Sequence, residues 1–185
     1  MREHAAVLDA LGAEVSLVRR VDDLEGLWGI VLPGGESTTI GMLMTEYGLR
    51  APLATGALPV LGTCAGLILM ARRLEGGEAP WLGLLDVTVL RNAYGRQGES
   101  HETDLDVTGI GVVRGVFIRA PYISEVGEGV EILGRDGAGH PVVVRQGRHL
   151  GLAFHPELAA EGRVHAAFLK GLAGPVESLA LGQRP

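Results

Sequence analysis

The chain has 185 residues, a length typical of one domain with a sizeable core, and 46% of its residues are hydrophobic. The net charge of −6 and the lack of a dense run of Lys and Arg argue against a nucleic-acid-binding surface. No apolar run reaches the roughly 18 residues that a membrane-spanning helix needs, and no apolar signal segment follows Met1. The single cysteine excludes an intramolecular disulfide, so a cytoplasmic location is expected.

The first part of the chain alternates helical periodicities with short apolar runs that are typical of buried strands. Strands and helices follow one another in turn, which favours a parallel sheet covered by helices. The predicted helices span 3–11, Thr38–Leu49 and Leu67–Leu74, and the predicted strands span Glu14–Val18, Trp28–Leu32 and Leu58–Leu61.

The second part contains short apolar runs separated by Gly, Asp and Asn turns, which are typical of strands, several of them antiparallel. A final helix is predicted over Ala159–Leu172. We expect a single domain over 1–173 and a disordered tail over 174–185. The predicted strands of this part span Val87–Leu90, Leu105–Val107, Val112–Ile118, Val130–Leu133, Val142–Arg145 and Leu150–Phe154.

The only cysteine lies in Gly62-Thr63-Cys64-Ala65-Gly66, between a predicted strand and a predicted helix. Glycines on both sides of a nucleophile at such a junction are typical of a nucleophile elbow, a tight turn that lifts the side chain out of the sheet. The amide of Ala65 is then placed to stabilise an oxyanion. A lone cysteine is more often a buried structural residue. The flanking glycines favour a nucleophile here.

A second motif, Phe154-His155-Pro156-Glu157, follows the last predicted strand. Side chains two residues apart in an extended chain point the same way, so the Glu157 carboxylate is expected beside the His155 imidazole. A histidine that takes a thiol proton needs an acceptor to orient its other nitrogen. Together with the cysteine elbow, the motif predicts a triad of Cys64, His155 and Glu157. The acid follows the histidine, which argues against an α/β-hydrolase, where it comes first.

A third motif, Leu32-Pro33-Gly34-Gly35-Glu36-Ser37-Thr38, follows a predicted buried strand. Its glycines expose backbone amides, which suit an oxyanion hole or a substrate carboxylate. The alternative is an ordinary strand-to-helix turn with Ser37 as the helix N-cap. A phosphate-binding loop is excluded because no Gly-Lys-Ser/Thr follows.

These three motifs together resemble those of the class I, or triad, glutamine amidotransferases, and more closely those of the glutaminase subunits of pyridoxal 5'-phosphate synthase. The similarity extends over roughly residues 2–172. The blocks at 91–97 and 117–121 separate this family from other amidotransferases. The residues that carry the resemblance are Arg2-Glu3-His4, PGGEST at 33–38, GTCAGLIL at 62–69, LGLLDVTVLRNAYGRQ at 82–97, GVFIRAPYI at 115–123 and FHPEL at 154–158.

The resemblance implies a three-layer α/β fold, with a mostly parallel central sheet, helices on both faces and an antiparallel strand extension. Family members begin with a short apolar strand before Arg-Glu-His, whereas this sequence begins at Met1-Arg2-Glu3-His4. The first family strand is therefore expected to be missing. Its absence would leave neighbouring strands with unpaired backbone groups.

The resemblance also implies a reaction and the roles of individual residues. Cys64 would attack the side-chain amide of L-glutamine, His155 would accept the thiol proton, and Glu157 would orient His155. A glutamyl thioester would form and be hydrolysed to glutamate. The amides of Gly35 and Ala65 would bind the oxyanion. The substrate contacts implied by the resemblance are Gly35, Glu36, Ser37, Arg91, Ile118 and Arg119.

The family further implies that the ammonia passes to a synthase subunit, a barrel-fold protein that assembles in rings and builds pyridoxal 5'-phosphate from sugar phosphates. No cofactor, metal, nucleic acid or membrane is implied for this chain. The remaining histidines show no metal-ligand spacing and are expected to be surface or core residues; they are His4, His101, His140, His149 and His165.

Three other functions are left open by the sequence. A catalytically silent binding subunit of the same complex is favoured by the missing strand and opposed by the intact triad motifs. A glutaminase subunit of another triad amidotransferase, such as that of histidine biosynthesis, is opposed by the blocks at 91–97 and 117–121. A stand-alone cysteine hydrolase acting on glutamyl peptides would need no partner.

Overall fold

The computed structural model describes residues 1–91, 100–159 and 162–172. Helices and strands alternate in the first half, and strands predominate in the second half. No helix in these described ranges is long and apolar enough to cross a membrane. The helices are α1 (Arg2–Ala10), α2 (Ser37–Glu46), α3 (Arg50–Ala54), α4 (Ala65–Met70) and α5 (Arg163–Leu172), with short 3-10 turns at Val21–Leu24 and Pro156–Leu158.

The strands form two sheets. Within the described residues, the larger sheet has seven strands and the smaller has three. Their bounds are β1 (Ile30–Leu32), β2 (Val60–Thr63), β3 (Ala71–Leu74), β4 (Leu85–Leu90), β5 (His101–Val107), β6 (Gly111–Phe117), β7 (Tyr122–Val126), β8 (Glu131–Arg135), β9 (Pro141–Gln146) and β10 (His149–Leu152).

The larger sheet has the order β1-β2-β10-β9-β8-β5-β6. Its β1, β2 and β10 are parallel neighbours, and the strands from β9 to β6 continue it as an antiparallel extension. The smaller sheet has the order β3-β4-β7, with β3 parallel and β7 antiparallel to β4. The expected α/β fold, in which a parallel part of the sheet is continued by an antiparallel extension, is confirmed.

The core is mainly aliphatic, in keeping with an aromatic content of 4%. Every residue of α4 is buried, and Leu67 and Leu69 are completely enclosed. A helix that is apolar on all sides belongs in a protein interior. Because α4 is fixed by packing along its length, it holds Cys64, its N-terminal flanking residue, in one place. Phe154, at the end of the apolar run that contains β10, is also fully buried.

The strand predicted at Glu14–Val18 is wrong, because this segment runs beside the sheet without pairing to it. A strand exists only where its backbone groups find a ladder partner. No strand precedes β1 within residues 1–91, and β1 is the edge of the larger sheet. A cavity of about 1510 Å³ is lined by both the unpaired segment and Ile30–Leu32. Val15 and Leu17 remain exposed as a result.

Other boundaries differ from the predictions. The helix predicted over Leu67–Leu74 ends at Met70, and its last four residues form β3, which pairs with β4. The helix predicted over Thr38–Leu49 corresponds to α2, which ends at Glu46, and the short α3 begins after the predicted range. Strand β7 was not predicted. The final helix begins at Arg163 rather than Ala159, and the predicted tail at 174–185 lies outside the described residues.

Candidate active site

Cys64 lies at the junction of β2 and α4, where the chain turns sharply. Its backbone has φ 50° and ψ −104°, a sparsely populated conformation for a residue with a side chain. The Cys64 N–H donates a 2.9 Å hydrogen bond to the carbonyl of Leu152 in the neighbouring β10. The side chain is therefore held at the carboxyl end of parallel strands, where open α/β sheets bind ligands.

The glycines on either side of Cys64 are required by close packing. A Cβ at Gly62 would overlap the Met70 sulfur, and a Cβ at Gly66 would overlap the carbonyl oxygen of Leu32 at the end of β1. Neither position can carry a larger residue without moving a strand or the buried α4. The Gly-x-Cys-x-Gly spacing thus allows β2, α4 and the end of β1 to approach closely around the cysteine.

His155 and Glu157 follow β10 and form a hydrogen-bonded pair. The His155 N–H donates to the carbonyl of Val116 at 2.9 Å, which fixes the backbone against β6. The His155 Nδ1 atom lies 2.8 Å from Glu157 Oε1. Glu157 is buried in the 3-10 turn Pro156–Leu158. Since the ionised carboxylate only accepts hydrogen bonds, the proton is on Nδ1 and Nε2 is directed to other partners.

The electrostatics of this pair follow from burial and hydrogen bonding. Burial disfavours the imidazolium, but hydrogen bonds with Cys64 and Glu157 outweigh it and raise the pKa of His155 to about 9. Burial also disfavours the carboxylate, yet the contacts with His155 and His4 hold the pKa of Glu157 well below its usual range. The structure therefore joins an imidazole that binds protons readily to an ionised carboxylate, and Cys64 contributes to the raised pKa of the imidazole.

The loop after β1 lies against His155. A Cβ at Gly34 would overlap the His155 ring, so only glycine allows this approach. Gly35 has φ +147°, within the region that favours glycine. Among the described residues, the N–H groups of Gly35 and Ala65 donate no hydrogen bond to the rest of the chain. Two amides without internal partners near a nucleophile are suited to an oxyanion.

Glu36 and Ser37 lie at the start of α2, and Glu36 is the residue that caps the helix. Its carboxylate accepts hydrogen bonds from the N–H groups of Thr38 at 2.9 Å and Thr39 at 2.7 Å, and from the Thr39 hydroxyl at 2.7 Å. The hydroxyl and amide donors lower the pKa of Glu36 to about 2. The alternative that made Ser37 the N-cap is therefore wrong, because Ser37 is the first helical residue and is buried.

Arg91 follows β4 and points toward the start of α2. Its Nη1 atom donates to Thr38 Oγ1 at 2.9 Å. Its Nη2 atom lies 2.8 Å from Glu78 Oε2, as an ion pair in which no hydrogen bond is aligned. The buried Nε atom has no hydrogen-bond partner in the described part of the chain. Part of the guanidinium is thus available to an anionic group.

Ile118 and Arg119 lie beside the cysteine. The carbonyl oxygen of Ile118 is 4.0 Å from Cys64 Sγ. Arg119 is exposed and has φ 45°; within the described ranges, it and Cys64 are the two residues other than glycine that have positive φ. Strained backbone tends to occur at functional sites, where the surrounding structure fixes it. Ile118 connects the two strained positions, because it precedes Arg119 and its carbonyl faces the Cys64 sulfur.

Three side chains behind the triad, those of His4, Thr63 and His165, were not predicted as part of the site. His4 of α1 lies 3.3 Å from Glu157 Oε1 and 3.1 Å from Thr63 Oγ1, and His165 of α5 lies 2.8 Å from His4. The sequence contained one indication of His4, its place in a motif shared with the family, and none of His165. No group of three or more His, Cys, Asp or Glu side chains within 1–91, 100–159 and 162–172 is arranged to hold a metal.

Solved structures with similar folds define the class of protein. The crystal structure of a glutamine amidotransferase has a TM-score of 0.89 and 49% sequence identity, and the match covers 93% of each chain. The PurLQS structure from Thermotoga maritima has a TM-score of 0.66 at 20% identity over 92% of each chain, and shares the fold alone. The fold around the cysteine is therefore that of a glutamine amidotransferase.

The chain belongs to the SNO glutamine amidotransferase family, whose model matches residues 1–173. Among similar proteins, the pyridoxal 5'-phosphate synthase subunit PdxT of Pelotomaculum thermopropionicum is 54% identical over 91% of this chain and 88% of the relative. A subunit of the same name from Thermus thermophilus is also 54% identical, over 94% of this chain and 92% of the relative. The resemblance found in the sequence motifs is thus confirmed over nearly the full chain.

Proposed function

We propose that this chain hydrolyses L-glutamine to glutamate and ammonia, and that Cys64, His155 and Glu157 carry out the reaction. The observation that supports the proposal most directly is that His155 Nδ1 lies 2.8 Å from the buried Glu157 Oε1, while the neighbouring Cys64 helps to raise the pKa of His155. A nucleophile beside a base that is oriented by a third group is the arrangement that acyl transfer requires. Residues 1–173 are proposed to form the catalytic domain, in line with the family match.

The first half of the reaction forms a thioester. The thiol proton of Cys64 passes to His155 Nε2, a transfer that the raised pKa of His155 favours, and the sulfur then attacks the side-chain carbonyl carbon of glutamine. The carbonyl oxygen becomes an oxyanion, which the N–H groups of Gly35 and Ala65 stabilise. The C–N bond then breaks, His155 gives its proton to the departing nitrogen, and ammonia leaves. A glutamyl group remains bound to the sulfur.

The second half releases glutamate. A water molecule attacks the thioester carbonyl carbon and His155 accepts one of its protons. The C–S bond breaks, the proton returns to the sulfur, and glutamate leaves with its new oxygen derived from water. Glu157 stays ionised throughout and stabilises the imidazolium that forms in each half. The depressed pKa of Glu157 is consistent with this role.

The substrate is proposed to lie between the loop after β1 and the strained Ile118–Arg119 segment. Gly35, Glu36 and Ser37 would contact it through their backbone, because the Glu36 carboxylate is occupied by its helix cap. Arg91 suits the α-carboxylate of glutamine, since its Nε is buried and unpaired within the described residues. Arg119 would offer a second cation, and Ile118 a carbonyl near the sulfur.

The ammonia is proposed to serve a partner protein. The two relatives named above are described as subunits of pyridoxal 5'-phosphate synthase. We assign this chain the corresponding place in the cytoplasm, where it would supply ammonia to a ring-forming synthase subunit with a barrel fold. The chain itself requires no metal or cofactor for the steps above, because thiol, imidazole and backbone amides perform each of them.

The proposal is tested by glutamate release from L-glutamine, L-asparagine and a γ-glutamyl peptide, each with and without the cognate synthase subunit. We expect glutamine to be hydrolysed, the rate to rise when the synthase is added, and asparagine to be inert. Lack of glutamine hydrolysis in both states would contradict the proposal and favour a silent binding subunit. Preferred cleavage of the γ-glutamyl peptide at a rate independent of the synthase would instead indicate a stand-alone hydrolase.

A further inference from the structure

Two buried histidines lie behind the proposed triad. His4 belongs to α1 and is 3% exposed, and His165 belongs to α5 and is completely buried. They are 161 residues apart in the sequence, yet their rings are in contact, with centroids 5.1 Å apart. Polar side chains are rarely buried without a hydrogen-bond partner, so their partners indicate their role.

His4 contacts the carboxylate of Glu157, and His165 contacts His4. His4 Nε2 lies 3.3 Å from Glu157 Oε1, the same oxygen that His155 Nδ1 contacts at 2.8 Å. The other carboxylate oxygen, Oε2, has no hydrogen-bond partner among the described residues. His4 Nε2 also lies 3.1 Å from the hydroxyl of Thr63, the residue before Cys64. One carboxylate oxygen is therefore held between two imidazoles.

The hydrogen-bond partners of each histidine determine which of its ring nitrogens carries a proton. Glu157 is ionised, so it accepts from His155 Nδ1–H, while His4 Nε2–H donates to the Thr63 hydroxyl at 3.1 Å and lies 3.3 Å from Glu157 Oε1 without an aligned hydrogen bond. In a neutral His4, Nδ1 is then an acceptor and receives the proton of His165 Nε2 across 2.8 Å. His165 Nδ1 is left with a lone pair only, and this is the ring nitrogen that has no partner in the described residues. Burial lowers the pKa of His165 to about 4, which keeps it neutral near pH 7.

We propose that His4 is a positioning residue for the glutaminase reaction, and that His165 fixes the ring orientation and tautomer of His4. The inference rests on the proposed triad. His155 alone would hold Glu157 Oε1 from one side, which leaves the carboxylate free to turn toward its unpaired Oε2. With His4 on the other side, the carboxylate stays in the plane that keeps His155 Nε2 directed at Cys64. Residues that hydrogen-bond to metal ligands typically change activity about 10- to 100-fold when they are replaced. We expect an effect of similar size for a residue that orients the acid of a triad.

The test compares three substitutions of His4 in the full chain with the synthase subunit present. His4→Gln keeps an amide N–H near the position of Nε2, while His4→Asn is too short to reach Glu157, and His4→Ala removes both contacts. We expect kcat to fall about 10- to 100-fold in His4→Asn and His4→Ala, with KM for glutamine changed by less than about threefold. His4→Gln is expected to recover most of kcat. If His4 served only the fold, its replacement would not lower kcat selectively while KM stays nearly unchanged.

Val164→Ala is the matched control, because it removes packing from the completely buried residue next to His165 and leaves every hydrogen bond in place. An equal loss of kcat in Val164→Ala, at a similar loss of thermal stability, would overturn the positioning role. If His4→Asn does not fold, His165→Leu cuts only the outer link, and a wild-type kcat there would overturn the part assigned to His165. Wild-type kcat in a folded His4→Asn would refute the inference while leaving the triad intact, whereas an active Cys64→Ala would refute the triad itself.

Discussion

Replacement of Cys64 by alanine is expected to lower glutamate release from L-glutamine by about 10⁴-fold or more. Without the sulfur no thioester can form, and water would have to attack the amide directly. The fold is expected to persist, because the Cys64 N–H still donates to Leu152 and α4 remains packed in the core. The rate is measured by coupled glutamate detection in the presence of the synthase subunit, and the fold by circular dichroism and thermal unfolding.

A thiol reagent gives the control for this experiment. Cys64 is the only cysteine, so modification by iodoacetamide reports on it alone. We expect glutamine to protect the wild-type chain from alkylation, and alkylation to remove activity in proportion to the modified fraction. Glutamine hydrolysis at the wild-type rate in a folded Cys64→Ala chain, or in a fully alkylated one, would exclude Cys64 as the nucleophile.

The second expected result is that replacement of His155 lowers kcat more than replacement of Glu157 does. His155→Ala should lower kcat by about 10⁴-fold, since no other described group is placed to take the thiol proton, whereas Glu157→Gln should lower it by about 10²- to 10³-fold. Glu157 helps to raise the pKa of His155 to about 9. The loss of its charge lowers that pKa, so the limb of the pH–rate profile governed by His155 should move to lower pH in Glu157→Gln.

The kcat of His155→Ala and of Glu157→Gln is measured across pH. A second histidine–carboxylate pair serves as the control. His140 Nδ1 lies 3.1 Å from Asp136 Oδ2 in a turn between β8 and β9, a pair with the same chemistry elsewhere on the molecule. His140→Ala is expected to retain the wild-type rate and pH profile. A Glu157→Gln chain less active than His155→Ala, or one with an unshifted profile, would contradict the roles assigned to the two residues.

The sequence was most informative where local pattern and fold agree. The apolar run before Pro33 and the run before Cys64 each form a parallel strand that ends in a glycine-containing turn, as β1 and β2. The His-x-Glu pair was predictable for the same reason, because both residues follow an apolar strand and lie two positions apart. Local spacing alone thus located His155 beside Glu157, at a distance of 2.8 Å.

Features that depend on distant pairing could not be predicted. Ala71–Leu74 has buried ends and exposed arginines between them, a pattern that fits a helix, and becomes β3 only through its pairing with β4. Glu14–Val18 has the apolar character of a strand but lacks a neighbour in the sheet. His4 and His165 were expected to be ordinary surface or core histidines. No sequence pattern indicates a contact across 161 residues.

The most direct test of the proposed mechanism is detection of the acyl intermediate on Cys64. The complex with the synthase subunit is mixed with L-glutamine, quenched in acid within milliseconds to seconds, digested, and analysed by mass spectrometry. We expect a glutamyl group on the peptide that contains Cys64, rising before steady-state glutamate release and removed by hydroxylamine. Glutamate that accumulates while this peptide stays unmodified at every quench time, or a glutamyl group on another residue, would contradict the assignment of Cys64 as the nucleophile.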